Sequence, residues 1–163
     1  MAEFPAADLI RVDWLDPRAV RLREAMDAEM TALYASAGAD ASDEQNEMVQ
    51  RALHVDDSTI LISILALVDG EAVGHTALRP YGDELEVKKV FVSPEFRGRG
   101  ISKQLMREAE VIAGERGVAS LVLQTGDRQH EAIALYLRIG YVEIPVFPPY
   151  DVIPVAICYR KTL

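Results

Sequence analysis

The segment Val92-Ser93-Pro94-Glu95-Phe96-Arg97-Gly98-Arg99-Gly100-Ile101-Ser102 holds the residues best suited to chemistry. An apolar stretch ends at Val92, a glycine-rich loop follows, and a helical pattern begins near Arg99. Backbone N–H groups at such a junction converge on one concavity at the positive end of a helix dipole. Gly98 and Gly100 permit close approach of a ligand and dihedrals that other residues avoid. Arg97, Arg99 and Lys103 supply positive charge. That combination suits a pyrophosphate. It is not a P-loop, because Gly100 is followed by Ile101 rather than lysine, and Glu95 stands where the earlier glycine belongs. Nor is it a dinucleotide fingerprint: Lys103 replaces the third glycine, and no acid closes a second parallel strand about 20 residues on.

The elements that must position this loop follow from periodicity and punctuation. Leu9 to Trp14 has the pattern of a first strand. Asp16-Pro17 reads as an N-cap with proline at the first helical position, and Leu22, Met26, Met30 and Leu33 share one face of the helix that follows. Ser42 and Gln45 have capping-box spacing and start a second helix. Thr59 to Val68, Ala72 to Arg79 and Leu85 to Val92 are three consecutive antiparallel strands. They are joined by an Asp69-Gly70 hairpin turn and by Pro80-Tyr81-Gly82-Asp83. A helix from Arg99 to Arg116 ends at Gly117, and Ala119 to Gln124 is a strand. A helix from Gln129 to Ile139 closes at Gly140. Tyr141 to Phe147 and Val152 to Tyr159 are terminal strands. The order β-α-α-β-β-β-α-β-α-β-β describes an α/β fold, a mixed sheet with helices on its faces.

Composition narrows the function classes. The 163 residues, half of them hydrophobic and about a quarter charged, fit one globular domain spanning 1–163. No apolar run reaches the ~20 residues of a membrane span, and Met1-Ala2-Glu3-Phe4 does not begin a signal peptide. Cys158 is the only cysteine, which agrees with a reducing, cytoplasmic setting. A net charge of −9 argues against nucleic acid and anionic membranes as partners. Within that acidic chain, Lys88, Lys89, Arg97, Arg99, Lys103 and Arg107 form a basic island broken only by Glu95. The island suits a local polyanion, although charge alone favours a solvated helix face.

The spacing Arg97-x-x-Gly100-x-Ser102 resembles the R/Q-x-x-G-x-G/A loop of the GNAT superfamily. The preceding strand, Glu86-Val87-Lys88-Lys89-Val90-Phe91-Val92, looks like that family's fourth strand. Ala132-Ile133-Ala134-Leu135-Tyr136 with Gly140-Tyr141 looks like its A-I-x-L-Y-x-x-x-G-F/Y element. The ending from Pro148-Pro149-Tyr150 through Lys161-Thr162-Leu163 is similar to a bacterial subgroup. Two residues depart from the pattern: Ser102 replaces Gly or Ala, and Gln129 stands where many members have Asn. Both replacements keep the group that would contact a cofactor.

The resemblance implies a mostly antiparallel twisted sheet and an acetyl-CoA-dependent N-acetyltransferase acting on a small-molecule amine in a ternary complex. It leaves a homodimer open. It places Phe91 and Val92 against the pantetheine and acyl carbonyl, and the amides of Arg97, Gly98, Arg99, Gly100, Ile101 and Ser102 around the pyrophosphate. Lys103 would add charge, and Gln129 an amide. Strands 85–92 and 119–124 would splay to admit the thioester. Glu86 falls where the family often carries a catalytic base, and a strand period of two puts it on the face of Val92. Its alternative is a strand glutamate paired with Lys88 or Lys89. Tyr136 is the expected general acid, a phenol matched to the departing thiolate; without the resemblance it would read as a core aromatic. A CoA-binding regulatory module without catalysis and a protein- or peptide-amine acetyltransferase are the competing readings.

The remaining residues carry less. His54, His75 and His130 are isolated from each other and from Cys158, so no metal site is expected, and His75 reads as a packed or surface residue. Trp14 reads as core. Phe147 and Tyr150 fit either an acceptor-pocket rim or simple packing.

Overall fold

The computed structural model describes residues 4–163. Met1 to Glu3, on which part of the leader argument rests, lie outside the described residues. The elements are β1 (Asp8–Val12), α1 (Pro17–Leu33), α2 (Asp43–Leu53), β2 (Ile62–Val68), β3 (Glu71–Tyr81) and β4 (Glu84–Val92). They continue with α3 (Ile101–Glu115), β5 (Ser120–Gly126), α4 (His130–Arg138), β6 (Val142–Ile144) and β7 (Ala156–Thr162). This is the expected order, in one seven-stranded sheet arranged β1-β2-β3-β4-β5-β7-β6. Among the described residues only β4 and β5 pair in parallel. Among the described residues no helix is long and apolar enough to cross a membrane.

Local chemistry explains the element ends. The Asp16 carboxylate accepts from the Arg18 amide at the start of α1. At α2 the Ser42 hydroxyl and the Gln45 side chain satisfy each other's backbone N–H groups. Asp69 and Gly70 hold φ of 49° and 79°, the positive pair a tight hairpin needs. Several boundaries differ from the sequence reading; β7 runs Ala156–Thr162 rather than Val152 to Tyr159, because Tyr150–Val152 form a 3-10 turn. β2 starts at Ile62, because Asp56 caps a 3-10 turn at Asp57–Thr59. β3 runs through Pro80 to Tyr81, which narrows the turn to Gly82-Asp83. β6 is short, and β7 inserts between it and β5.

The two faces of the sheet are built differently. On one, α3 buries Ile101, Leu105, Met106, Ala109, Ile112 and Ala113 against Ile64, Val73, Val87 and Leu121, with α4 beside it. A Cβ at Gly74 of β3 would lie 3.1 Å from both Ile101 and Leu105, so the bare backbone there lets α3 sit close. On the other face α1 packs Ala19 and Leu22 against Leu65 and Phe91, and α2 packs Ala52 against Tyr150 and Cys158.

β4 contains the feature that shapes the site. It pairs with β3 as His75↔Phe91 but Ala77↔Lys88, so Thr76 opposes two residues and β4 carries a bulge. Lys89 sits in it at φ 56°. The extra residue reverses the alternation of faces. Val92 therefore packs with Leu85 and Val87 in the α3 core, whereas Glu86 lies opposite, beside Tyr150. The expected shared face of Glu86 and Val92 is thus corrected. Pairing of β4 with β5 stops at Val87↔Leu123, while β5 continues to Gly126 against β7. Beyond Val87 the two strands part.

Candidate acyl-transfer site

The gap between β4 and β5 opens into a cleft of about 650 Å³, within the range of small-molecule sites. Its floor is the free stretch Val90, Phe91 and Val92 of β4. One wall is the loop from Phe96 to Lys103, another is α4 from Gln129 through Tyr136, and α1 closes it with Met26, Glu29, Met30 and Leu33.

The glycine loop has the geometry of an anion cradle. Gly98 and Gly100 hold φ of 76° and 77°, and a Cβ at either would meet open space. Gly100 is the N-cap of α3 and offers no side-chain acceptor, so the amides of its first turn are uncapped. Lys103 is exposed at the cleft wall. These residues fit a pyrophosphate.

Arg97 and Arg99 do not supply the mobile charge expected of them. Arg97 donates from Nε to the Val92 carbonyl (2.9 Å) and from Nη2 to Glu29 (2.7 Å), and it lies over the Phe91 ring. Arg99 stacks on Phe4 and Phe96 and donates to the Glu95 carbonyl; it does not line the cleft. The basic island also divides. Lys89 pairs with Asp27 of α1, and Lys88 is buried.

Tyr136 lines the cleft from α4. Its ring packs against Tyr141 and Tyr159, and among the described residues its hydroxyl makes no hydrogen bond. Burial pushes its phenol well above the ordinary value, so it is protonated at neutral pH. Tyr136 is therefore core at its ring and also lines the cleft.

Glu86 does not line the cleft. It is fully buried. Its Oε1 accepts from Arg79 Nε at 2.6 Å, and its Oε2 accepts from the Tyr150 hydroxyl at 2.5 Å. Lys88 Nζ donates to the same hydroxyl at 2.6 Å and stands 3.8 Å from Glu86. Burial pulls the Lys88 ammonium down to about 8 against the attraction of Glu86. Tyr150 is thus the centre of a buried ionic network rather than a pocket rim, and Phe147 packs against it. Among the described residues no group of three or more His, Cys, Asp or Glu is placed to hold a metal ion.

The sequence reading overlooked the contribution of α1. Met26, Met30 and Leu33 were legible as a helix face, but a face turned to a cleft has the same period as one turned to a core. Glu29 gave no signal beyond its charge.

The model of the acetyltransferase (GNAT) family matches residues 20–141 of the chain. The chain belongs to that family. It is 36% identical over 90 residues to an IAA acetyltransferase of Azospirillum brasilense, covering 55% of this chain and 59% of that one. It is 33% identical over 87 residues to a streptothricin acetyltransferase of Streptomyces lavendulae, covering 52% and 45%. The chain thus spans about half the length of these curated relatives. A solved structure from Klebsiella pneumoniae, described as an acyl-CoA N-acyltransferase, superposes with a TM-score of 0.77 at 28% identity, covering 96% of this chain and 97% of that one. PaiA N-acetyltransferase of Thermoplasma acidophilum, solved with coenzyme A, shares the fold with a TM-score of 0.66 at 17% identity over 96% and 99%.

Proposed function

We propose that the chain transfers an acetyl group from acetyl-CoA to an amine of a small-molecule acceptor. The observation that carries this reading is the cleft itself: the uncapped first turn of α3, the free stretch of β4 and Tyr136 all line one space. Family membership supports it. So do relatives named for small acceptors and neighbours solved with coenzyme A or acetyl-CoA.

Acetyl-CoA supplies the acyl group as a thioester. The amides from Gly98 to Ser102 and the Lys103 ammonium hold its pyrophosphate; the amide of Arg97, expected among them, instead donates to the Pro94 carbonyl. Phe91 and Val92 offer backbone groups to the pantetheine, and Gln129 offers its side-chain amide. A primary amine is only about one part in a thousand neutral at pH 7, so its proton must be removed as its nitrogen attacks. The nitrogen bonds to the acyl carbon and the carbon–sulfur bond breaks. Tyr136 gives its proton to the departing sulfur. Glu86 accepts the amine proton only indirectly, through Tyr150 or water, because both its oxygens are already engaged.

Calorimetry with acetyl-CoA tests the cradle. Wild type should bind, and Gly100→Asp, which sets a carboxylate beside the pyrophosphate, should not; equal affinities would remove the loop from the site. Thiol release across amines, amino acids and peptides then tests the transfer. Release with small amines supports the proposal, release with peptides alone makes the chain a protein acetyltransferase, and binding without release makes it a CoA-binding module.

A further inference from the structure

Lys89 raises a physical question. A lysine at φ 56° occupies a region disfavoured for residues with a side chain, and it persists there only where the surroundings over-determine it. The bulge also removes the regular ladder bonds of β4 at that point. Two β3 side chains replace them. The Thr76 hydroxyl donates to the Lys88 carbonyl at 3.1 Å, and His75 Nδ1 lies 2.8 Å from the Lys89 carbonyl.

The tautomer of His75 follows from its partners. A carbonyl only accepts, so Nδ1 carries the hydrogen. Arg23 Nη1 approaches Nε2 at 3.2 Å, and a guanidinium only donates, so Nε2 accepts. Arg23 is itself fixed: it lies over the Trp14 ring at 3.4 Å and donates to the Trp14 carbonyl at 2.6 Å. Trp14 in turn donates its indole N–H to Asp57. Burial, with lesser repulsion from Arg23 and Lys89, pushes the imidazole down to about 4, which keeps it neutral.

We propose that His75 and Arg23 are positioning residues that lock the bulge at Lys89, hold β4 apart from β5, and so keep the cofactor's path along Val90 to Val92 open. Arg23 sets the tautomer, and His75 pins the carbonyl. The bulge begins two residues beyond the last β4–β5 pair, Val87↔Leu123, so releasing it lets β4 re-pair across the gap. The role in cofactor binding rests on the acetyl-CoA reading above, whereas the lock itself does not.

The test compares two amides at position 75. In His75→Asn the amide nitrogen falls near the position of Nδ1 and keeps the bond to Lys89. In His75→Gln it falls near Nε2 and loses that bond, although glutamine is closer to histidine in volume. Hydrogen exchange over residues 88–92 and acetyl-CoA affinity are measured on both. The lock predicts near-wild-type values for Asn. For Gln it predicts faster exchange and an affinity loss of roughly tenfold, the scale of one buried hydrogen bond. Lys89→Gly, which relieves the left-handed strain, should restore both readouts in the Gln background. A pure packing role predicts the reverse ranking and no rescue, and either result overturns the proposal. If wild type does not bind acetyl-CoA, the proposed function falls while the exchange data still decide the lock.

Discussion

The α3–α4 face and the α1–α2 face of the sheet solve different problems. The first is an apolar core that, among the described residues, brings one buried titratable group, Tyr136, to the cleft, and it positions a loop and that phenol. The second buries a carboxylate, a lysine, a histidine and an arginine. Stability on the first face comes from area, and chemistry from what is left unpaired. On the second face stability depends on charges finding partners, because an unpartnered buried charge is far more costly than a missing methyl group. The difference implies that substitutions on the two faces separate folding from turnover.

Glu86→Gln should have the largest effect on folding. It strips the counter-charge from Arg79 and Lys88, and breaking a buried pair costs about 3–5 kcal/mol. Adding Lys88→Met should recover part of that loss. A denaturant series reads both. If Glu86→Gln melts like wild type, the network is not a source of stability and the contrast between faces is lost.

The next effect is in pH. His75 titrates near 6.5 when unfolded and about 4 when folded. Between these values the unfolded chain binds a proton that the native chain does not. This contribution to stability is therefore complete above about 6.5 and lost as pH falls towards 4, up to roughly 3 kcal/mol by linkage. Unfolding at several pH values should show that slope in wild type and its absence in His75→Asn. Parallel slopes in the two proteins would mean that the carboxylates alone are responsible.

Tyr136→Phe should disturb folding least, by no more than about 1 kcal/mol, since the hydroxyl has no partner to lose. Acetyl-CoA affinity should hold, and turnover should fall roughly 10²-fold. A large drop in melting temperature with normal turnover would make Tyr136 a core residue and would blur the contrast from the other side.

What the sequence made legible follows the range of the interactions. The Asp16 cap, the Ser42–Gln45 box and the Asp69-Gly70 turn each close within a few residues, so residue types alone identify them. The loop at Gly98 and Gly100 is equally local. The face of Glu86 was not legible, because one lysine with positive φ reverses the parity of β4 and nothing in its type announces that. Tyr150 reaches Glu86 across 64 positions of chain. His75 meets Arg23 across 52. Such contacts are consequences of the assembled sheet and leave no periodic trace.

Gly74 works as a mechanical seat. It lies on β3 and does not itself line the cleft, yet Ile101 and Leu105 rest on it within the first turns of α3. A methyl group there would force a displacement of a few tenths of an ångström. The rigid rod of α3 passes that displacement to the end it carries, where the uncapped amides are aimed. Alignment of the loop is therefore machined from below, by an atom that is missing.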